Sequence, residues 1–276
     1  LTDFKLNTDF FVGYSPERIN IGGDKKKTSE IIKVTSGSNA SSRKKIDDLY
    51  KSVIKAGTFS AESIKIAEAS KILENCQRDL NIALINEMSL LFKKLEIDTL
   101  KVIEAAATKW NFMPYYPGLV GGECIAVDPY YIIDQAKNLN CRLNLAETAR
   151  KINVNMVNYV FEKLNKKLKK IQPKKVAFFG IAYKQDCDQI KNSMYLKIVK
   201  KLEKLFPLDV YDHLINNTSQ LKLKKEKDLC SLKYDAIIIG AKHKKYKNMN
   251  FEKYTMKPSS IIDIHGINYN SFRKIL

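Results

Sequence analysis

The sequence predicts an α/β protein in three parts: a short mixed segment, a helical middle built on one long helix, and an open parallel sheet at the C-terminal end. Three observations predict it. Residues 175–180 (KVAFFG), 208–212 (LDVYD), 235–240 (DAIIIG) and 261–264 (IIDI) are short apolar, β-branched runs separated by longer stretches, one of them plainly helical. That alternation belongs to a parallel sheet with helical crossovers. Residues 60–95 carry apolar side chains at helical spacing with neither Pro nor Gly among them. Residues 10–14 (FFVGY) and 31–35 (IIKVT) read as short buried strands in a separate N-terminal segment.

Taken in order, Ser36-Gly37-Ser38 should break the second strand, and residues 41–56 should form a helix with a Ser cap. The long helix over 60–95 would span roughly 50 Å at 1.5 Å per residue, a length that suits a connector or a dimer axis. A further helix is expected over 99–109. Residues 114–129 form a loop, because Pro114, Pro117, Gly118, Gly121, Gly122 and Pro129 punctuate them. Helix returns over 130–137, 145–170 and 193–205. The resulting division is 1–57, 58–172 and 173–276. In an open parallel sheet, ligands lie beyond the carboxyl ends of the strands, which makes residues 180–184 a candidate binding edge.

The 276 residues suffice for two domains. The absence of an apolar run long enough for a membrane span excludes a membrane protein of that kind, and the first residues carry no signal-peptide pattern. Five scattered cysteines with no CxxC pair indicate neither a disulfide framework nor a zinc site, so a reducing cytoplasm and no metal are expected. The formal charge of +18 points to acidic partners. Yet only six of the 48 basic residues are Arg, whose planar fork serves specific phosphate and base recognition. A Lys-dominated surface of this kind reads as solvated helix faces, and no nucleic acid is expected as a partner.

The most informative run is Gly121-Gly122-Glu123-Cys124-Ile125-Ala126-Val127-Asp128-Pro129. A lone cysteine is as a rule a buried small hydrophobe. Here it follows two glycines, which let backbone approach a ligand, and a carboxylate stands four residues on. A thiol so placed can act as a nucleophile.

Several motifs in series resemble the nucleotide-sugar 6-dehydrogenases, the family of UDP-glucose and UDP-N-acetylhexosamine dehydrogenases. They are Gly13-Tyr14-Ser15-Pro16-Glu17-Arg18-Ile19-Asn20, Ala67-Glu68-Ala69-Ser70-Lys71-Ile72-Leu73-Glu74-Asn75, Lys109-Trp110-Asn111-Phe112, the Cys124 run, Arg150-Lys151-Ile152-Asn153-Val154-Asn155-Met156, and Gly180-Ile181-Ala182-Tyr183-Lys184. Their wording is most similar to the branch acting on UDP-N-acetylglucosamine or UDP-N-acetylgalactosamine in surface polysaccharide synthesis. The resemblance implies a remnant of an N-terminal Rossmann domain, a central helical dimerisation domain, and a C-terminal Rossmann-like UDP-sugar-binding domain. It implies an NAD-dependent two-step oxidation of the sugar C6 alcohol to the uronate. Cys124 would form the thiohemiacetal and thioester, and Lys71 and Asn75 would hold the oxyanion. Glu17 and Asp128 would manage protons or water. Arg18, Ile19, Asn20, Gly121, Lys184 and His265 would bind the UDP-sugar, and Val127 and Lys191 would lie at the NAD. The expected partner besides substrate is a second copy, joined through the long helix. Arg150 and Asn153 read as structural, satisfying nearby loop carbonyls.

The sequence also departs from the family pattern. None of its eleven glycines forms the GxGxxG turn that cradles a dinucleotide pyrophosphate, so a truncated form with weak NAD binding is expected. Glu123 replaces a His or aromatic and sets a carboxylate beside the thiol, which should slow attack. Tyr116, Gln189, Lys191 and His265 replace Arg, Asp, Arg and a basic residue respectively. Two other readings stand beside the enzyme: a non-catalytic UDP-sugar-binding or dimerising remnant, and a basic nucleic-acid binder.

Overall fold

The computed structural model of the chain describes residues 3–19, 22, 26–230, 232–255, 257, 260–266 and 275. It divides into two compact units, Leu1–Cys76 and Gln77–Leu276.

In the first unit, strands β1 (Gly13–Tyr14), β2 (Lys33–Gly37) and β3 (Thr58–Ser60) form one sheet in that order. β1 runs antiparallel to β2, with Gly13 opposite Gly37, and β3 runs parallel to β2. Helix α1 (Ala40–Val53) lies on a floor of small residues. A Cβ on Gly13 would come 1.8 Å from Ile46 Cδ1, and one on Gly37 would come 2.3 Å from the Arg43 backbone nitrogen. Asp47 ties helix to sheet by accepting hydrogen bonds from Thr35 Oγ1 (2.7 Å) and Thr58 Oγ1 (2.6 Å), and it pairs with Lys51.

Several N-terminal expectations need correction. Phe10 and Phe11 are not buried; they are 42% and 54% exposed, and the strand is only Gly13–Tyr14. The second strand begins two residues late because Ile31 closes a 3₁₀ turn over Thr28–Glu30. It then continues through Gly37, which pairs with Gly13. The helix cap is Asn39, not a Ser: its Oδ1 accepts the Ser42 N–H, and Ser42 Oγ accepts the Asn39 N–H in return. The helix stops at Val53, before Gly57 with φ +85°. Residues 58–60 are strand, so the long helix α2 is Ile64–Lys94, 31 residues or about 46 Å.

The second unit holds the rest of α2, then α3 (Thr99–Ala106), α4 (Asp128–Asn138) and α5 (Asn144–Ile171). Pro129 lies in the first turn of α4 rather than closing a loop, as suits a residue that lacks an N–H and has a helical φ. The chain then builds strands β4 (Val176–Phe179), β5 (Leu208–Tyr211), β6 (Ala236–Ile239) and β7 (Ile261–Asp263), all parallel, in the order β5-β4-β6-β7. Alternate residues of β4 face opposite ways. Val176 and Phe178 pack with Val160, Leu164 and Leu168 of α5 and Ile198 and Leu202 of α6 (Met194–Leu202). Ala177 and Phe179 pack on the other side with Tyr246, Phe251 and Tyr254. Two covered faces explain why the strands are continuously apolar. The short helices α7 (Glu226–Cys230) and α8 (Lys244–Lys247) complete the sheet's surroundings. Among the described residues, no helix is long and apolar enough to cross a membrane.

Candidate active site

The Cys124 turn lies in the second unit and presents its sulfur at the surface, where Cys124 is a free, exposed thiol. The Cys124 carbonyl accepts the N–H groups of Val127 (3.0 Å) and Asp128 (2.8 Å), and so starts α4 directly behind the thiol. Val127 is the N-cap of that helix, and Asp128 is its first residue.

The two glycines are required by what lies against them. A Cβ on Gly121 would come 2.7 Å from the Asn192 carbonyl oxygen, and one on Gly122 would come 2.6 Å from the Tyr183 ring. Gly122 also has φ +86°, which favours glycine. Asn192 Nδ2 donates to the Gly122 carbonyl (3.3 Å), and the Lys191 ammonium pairs with Glu123. The thiol turn therefore rests on the loop that leaves β4. Within that loop Tyr183 N–H donates to the Gln189 carbonyl (3.0 Å). Burial, with the nearby Cys187, Cys124 and Glu123, pushes the Tyr183 phenol up to about 12, so it stays a neutral donor.

A buried polar network holds the flanks of the turn from below. Arg150 on α5 grips the Asp79 carboxylate with Nε (2.7 Å) and Nη2, and its Nη1 donates to the Ala126 carbonyl (3.0 Å). Asn153 donates to Asp79 Oδ1 (2.7 Å) and to its carbonyl (2.9 Å). Asn86 donates to Asn153 Oδ1 (2.9 Å) and exchanges two bonds with the Gly118 backbone. The Arg150 and Asp79 side chains are only 3% and 1% exposed. Arg150 thus has the carbonyl-satisfying place expected of it. Asp79, Asn86 and Asn192 were missed, while Tyr183 lies in the 180–184 edge named from the sequence. The available signal was a pair of polar residues seven apart on α2 and another three apart on α5, each on an otherwise apolar helix face.

At the sheet edge, Gly180 has φ +86°, and a Cβ there would come 2.9 Å from the Ala241 nitrogen. The Ile181 and Ala182 amides already donate to Asp212 Oδ2 (2.8 and 3.1 Å). They are not open to a phosphate, and the anion-binding capacity of residues 180–184 rests on Lys184. Burial, then the charge of Arg78, lowers the Lys184 ammonium's pKa, so a bound anion would stabilise its charge. His265 is buried; its Nε2 lies 2.5 Å from the Tyr195 hydroxyl, while its Nδ1 is buried without a partner among the described residues. Burial, helped by Lys242, holds the ring well below the usual histidine range. A Cβ on Gly118 would sit 3.9 Å from His265 Cε1, which sets this ring beneath the start of the thiol loop.

Asp212, His213 and His243 are the one group of described residues spaced like metal ligands. Their hydrogen bonds argue for a structural role. His243 Nδ1 accepts the Asp186 N–H (2.9 Å), and its Nε2 faces Asp212 Oδ2 (3.2 Å). A metal on Nε2 would leave the ring with no proton on either nitrogen.

The remaining candidates lie in the first unit. Glu17 Oε1 accepts the Arg18 and Ile19 N–H groups (2.6 and 2.7 Å), and Oε2 is 3.7 Å from Lys33 Nζ. Burial pushes this carboxyl up, but those two bonds and the charges of Lys33 and Lys71 outweigh it and hold it low. Arg18 is engaged with Glu74 (2.7 Å) and the Ile32 carbonyl (3.1 Å), while Ile19 is exposed. Lys71 and Asn75 stand one turn apart on α2, with Asn75 buried. Asn20 lies outside the described residues.

Among the described residues, the β2–α1 turn does not fit a dinucleotide pyrophosphate. The β2–α1 turn has a single glycine, its backbone is packed against Arg43, and the Asn39 side chain and carbonyl already take the Ser42 and Arg43 amides.

Along the chain the order is the long helix α2, the glycine-seated surface thiol, and then the parallel sheet, the order that the resemblance of the motifs implies. Two domain models agree: residues 65–155 match the central domain, and residues 177–269 the UDP binding domain, of the UDP-glucose/GDP-mannose dehydrogenase family. The chain belongs to that family. It is 42% identical over 260 residues to a UDP-N-acetyl-D-glucosamine 6-dehydrogenase of Salmonella typhi, covering 91% of this chain and 61% of that one. It is 40% identical over 275 residues to Protein CapL of Staphylococcus aureus, covering 94% and 63%. Its fold is similar to that of a UDP-D-ManNAc dehydrogenase from Pyrococcus horikoshii, with TM-score 0.81, 30% identity, and coverage of 97% and 65%. The chain thus spans about three-fifths of the length of its curated relatives.

Proposed function

We propose that this chain carries the substrate-binding and covalent part of a UDP-N-acetylhexosamine 6-dehydrogenase serving surface polysaccharide synthesis. The observation that carries the reading is the Cys124 turn: an exposed thiol on a glycine pair, braced from below by a buried ion pair and from the side by the loop bearing Lys184. The Cys124 sulfur adds to the C6 aldehyde carbon, and the carbonyl oxygen takes a proton, giving a thiohemiacetal. At the thioester stage water adds to the same carbon, the C–S bond breaks, and uronate and thiol are released. Lys71 and Asn75 keep the role the resemblance implies, stabilising the oxyanion. Glu17 and Asp128 orient water, and Lys184 meets the pyrophosphate. NAD is the hydride acceptor the family implies, and Val127 and Lys191 would lie beside it. The protein is proposed to act in the cytoplasm and to pair with a second copy through α2, where Leu84 and Leu91 stand seven apart and exposed.

The test is protection. Saturating UDP-N-acetylglucosamine or UDP-N-acetylgalactosamine should slow iodoacetamide alkylation of Cys124 at least five-fold, and Lys184→Ala should abolish that protection. Unchanged alkylation together with no heat of binding in calorimetry would overturn the reading. The Glu123 carboxylate adjoining the thiol favours a second reading, a UDP-sugar-binding protein without turnover. Such a protein would show protection of Cys124 but no NADH absorbance when NAD and the UDP-sugar are added.

A further inference from the structure

We infer that Glu123 and Lys191 form a charge latch that positions the Cys124 turn and keeps the thiol reactive. The inference rests on the reading of Cys124 as the attacking group and assigns two positioning residues to it.

The thiol turn has three ties to the loop over residues 183–192. Gly121 and Gly122 close against the Asn192 carbonyl and the Tyr183 ring, and Asn192 Nδ2 holds the Gly122 carbonyl. Both of these stop at Gly122. Of these three, the ion pair of Glu123 with Lys191 is the one that reaches the residue adjoining the cysteine among the described residues. The pair is exposed, at 52% for Glu123 and 70% for Lys191. Pairs of that kind add little to global stability, so its local effect has to be sought in charge and direction.

The charges that neighbour Cys124 along the chain make that effect specific. The Tyr183 phenol is neutral, and it hydrogen-bonds Cys187. Asp128 follows the turn at the start of α4. Glu123 brings a second carboxylate next to the thiol in sequence. Left unpaired, its charge disfavours the attacking thiolate. Lys191 holds that carboxylate on the side of the 183–192 loop and cancels its charge. The same loop carries Lys184, so the segment proposed to meet the pyrophosphate also orients the nucleophile.

The test uses the 276-residue chain and follows iodoacetamide alkylation of Cys124 by peptide mass spectrometry at pH 7.5. A unit charge about 3–6 Å from a thiolate in a water-like dielectric changes its reactivity by roughly three- to ten-fold. Lys191→Met should therefore slow alkylation by roughly that factor. The defect should shrink in about 1 M salt, where the screening length is about 3 Å. Glu123→Gln with Lys191→Met should restore the rate, and the exchanged pair Glu123→Lys with Lys191→Glu should at least match the starting protein. A tie that merely propped the turn would slow K191M and E123Q/K191M alike. That result, or a K191M rate within two-fold of the starting protein, overturns the latch. The outcome is independent of turnover. Latch-like rates without UDP-sugar protection would sink the proposed function and leave the latch standing, and protection without latch-like rates would do the reverse.

Discussion

Asp79→Asn tests whether the thiol turn depends on the polar network beneath it. Asp79 accepts two bonds from the Arg150 fork and one from Asn153, and the Arg150 and Asp79 side chains are almost wholly inaccessible. Replacing the carboxylate by an amide leaves the guanidinium charge buried without its counter-ion and turns an N–H₂ group toward donors. Removing one partner of a buried pair costs about 3–5 kcal/mol. Each kcal/mol moves the midpoint of a domain of this size by about 2–4 °C, so the unit Gln77–Leu276 should melt about 6–20 °C lower by scanning calorimetry. Arg150→Lys keeps the charge but cannot reach Asp79 in two places and the Ala126 carbonyl at once. It should cost less, about 1–3 kcal/mol, while still changing Cys124 alkylation. The apolar pair Asp79→Leu with Arg150→Met should regain most of the loss, because it leaves no buried charge unmatched. A shift below 2 °C for Asp79→Asn, or a double variant no more stable than the single one, would refute the reasoning.

Three further outcomes are expected. Gly122→Ala must fit a methyl group against the Tyr183 ring at φ +86°, so it should destabilise by about 1–3 kcal/mol and alter Cys124 alkylation; calorimetry and alkylation rates check this. Burial pushes Asp47 up, but bonds from Lys51, Thr58 and Thr35 prevail and hold it at about 2, against 3.8 when unperturbed. Its folded-state pKa is depressed, so its contribution of about 2 kcal/mol is present above pH 3.8 and lost as pH falls toward 2; urea midpoints should fall more steeply across that window in the starting protein than in Asp47→Asn, where Glu17 and the other depressed carboxylates still titrate. Leu84→Glu with Leu91→Glu should convert a dimer to a monomer in sedimentation velocity, and an unchanged sedimentation coefficient would remove α2 as the dimer axis.

The C-terminal sheet was legible because its strands are buried on both faces and read as unbroken apolar runs with glycines at their ends, as at Gly180 and Gly240. The long helix was legible from its uninterrupted periodicity. The N-terminal unit was less so. Apolar runs report a preference for burial, and Phe10 and Phe11 have that preference without cover among the described residues of their unit. The shift of β2 came from a 3₁₀ turn that no pattern of apolar residues encodes. At the site, Cys124 and its glycines stood out because they are contiguous. Asp79, Asn86, Arg150 and Asn153 do not: two helices distant in sequence supply them. Helical spacing can flag such residues, but their partners emerge only when the helices pack. The pairing of Glu123 with Lys191 was hidden in the same way, although each had been singled out separately as a departure from the family pattern.

Those two departures become intelligible together. A nucleophile has to be exposed to reach its substrate, yet an exposed turn is free to wander unless something holds it. Here stiffness comes from two places with different energetics. The Arg150–Asp79 network is buried, so disturbing it should lower stability and reactivity together. The Glu123–Lys191 pair is solvated, so disturbing it should change reactivity while leaving the melting temperature nearly constant. A carboxylate beside the thiol, unfavourable when considered alone, becomes tolerable once the ammonium facing it is counted. If Lys191 variants lost stability in proportion to reactivity, the separation of these two supports would be wrong, and the turn would have to be treated as one cooperative element with the sheet edge beneath it.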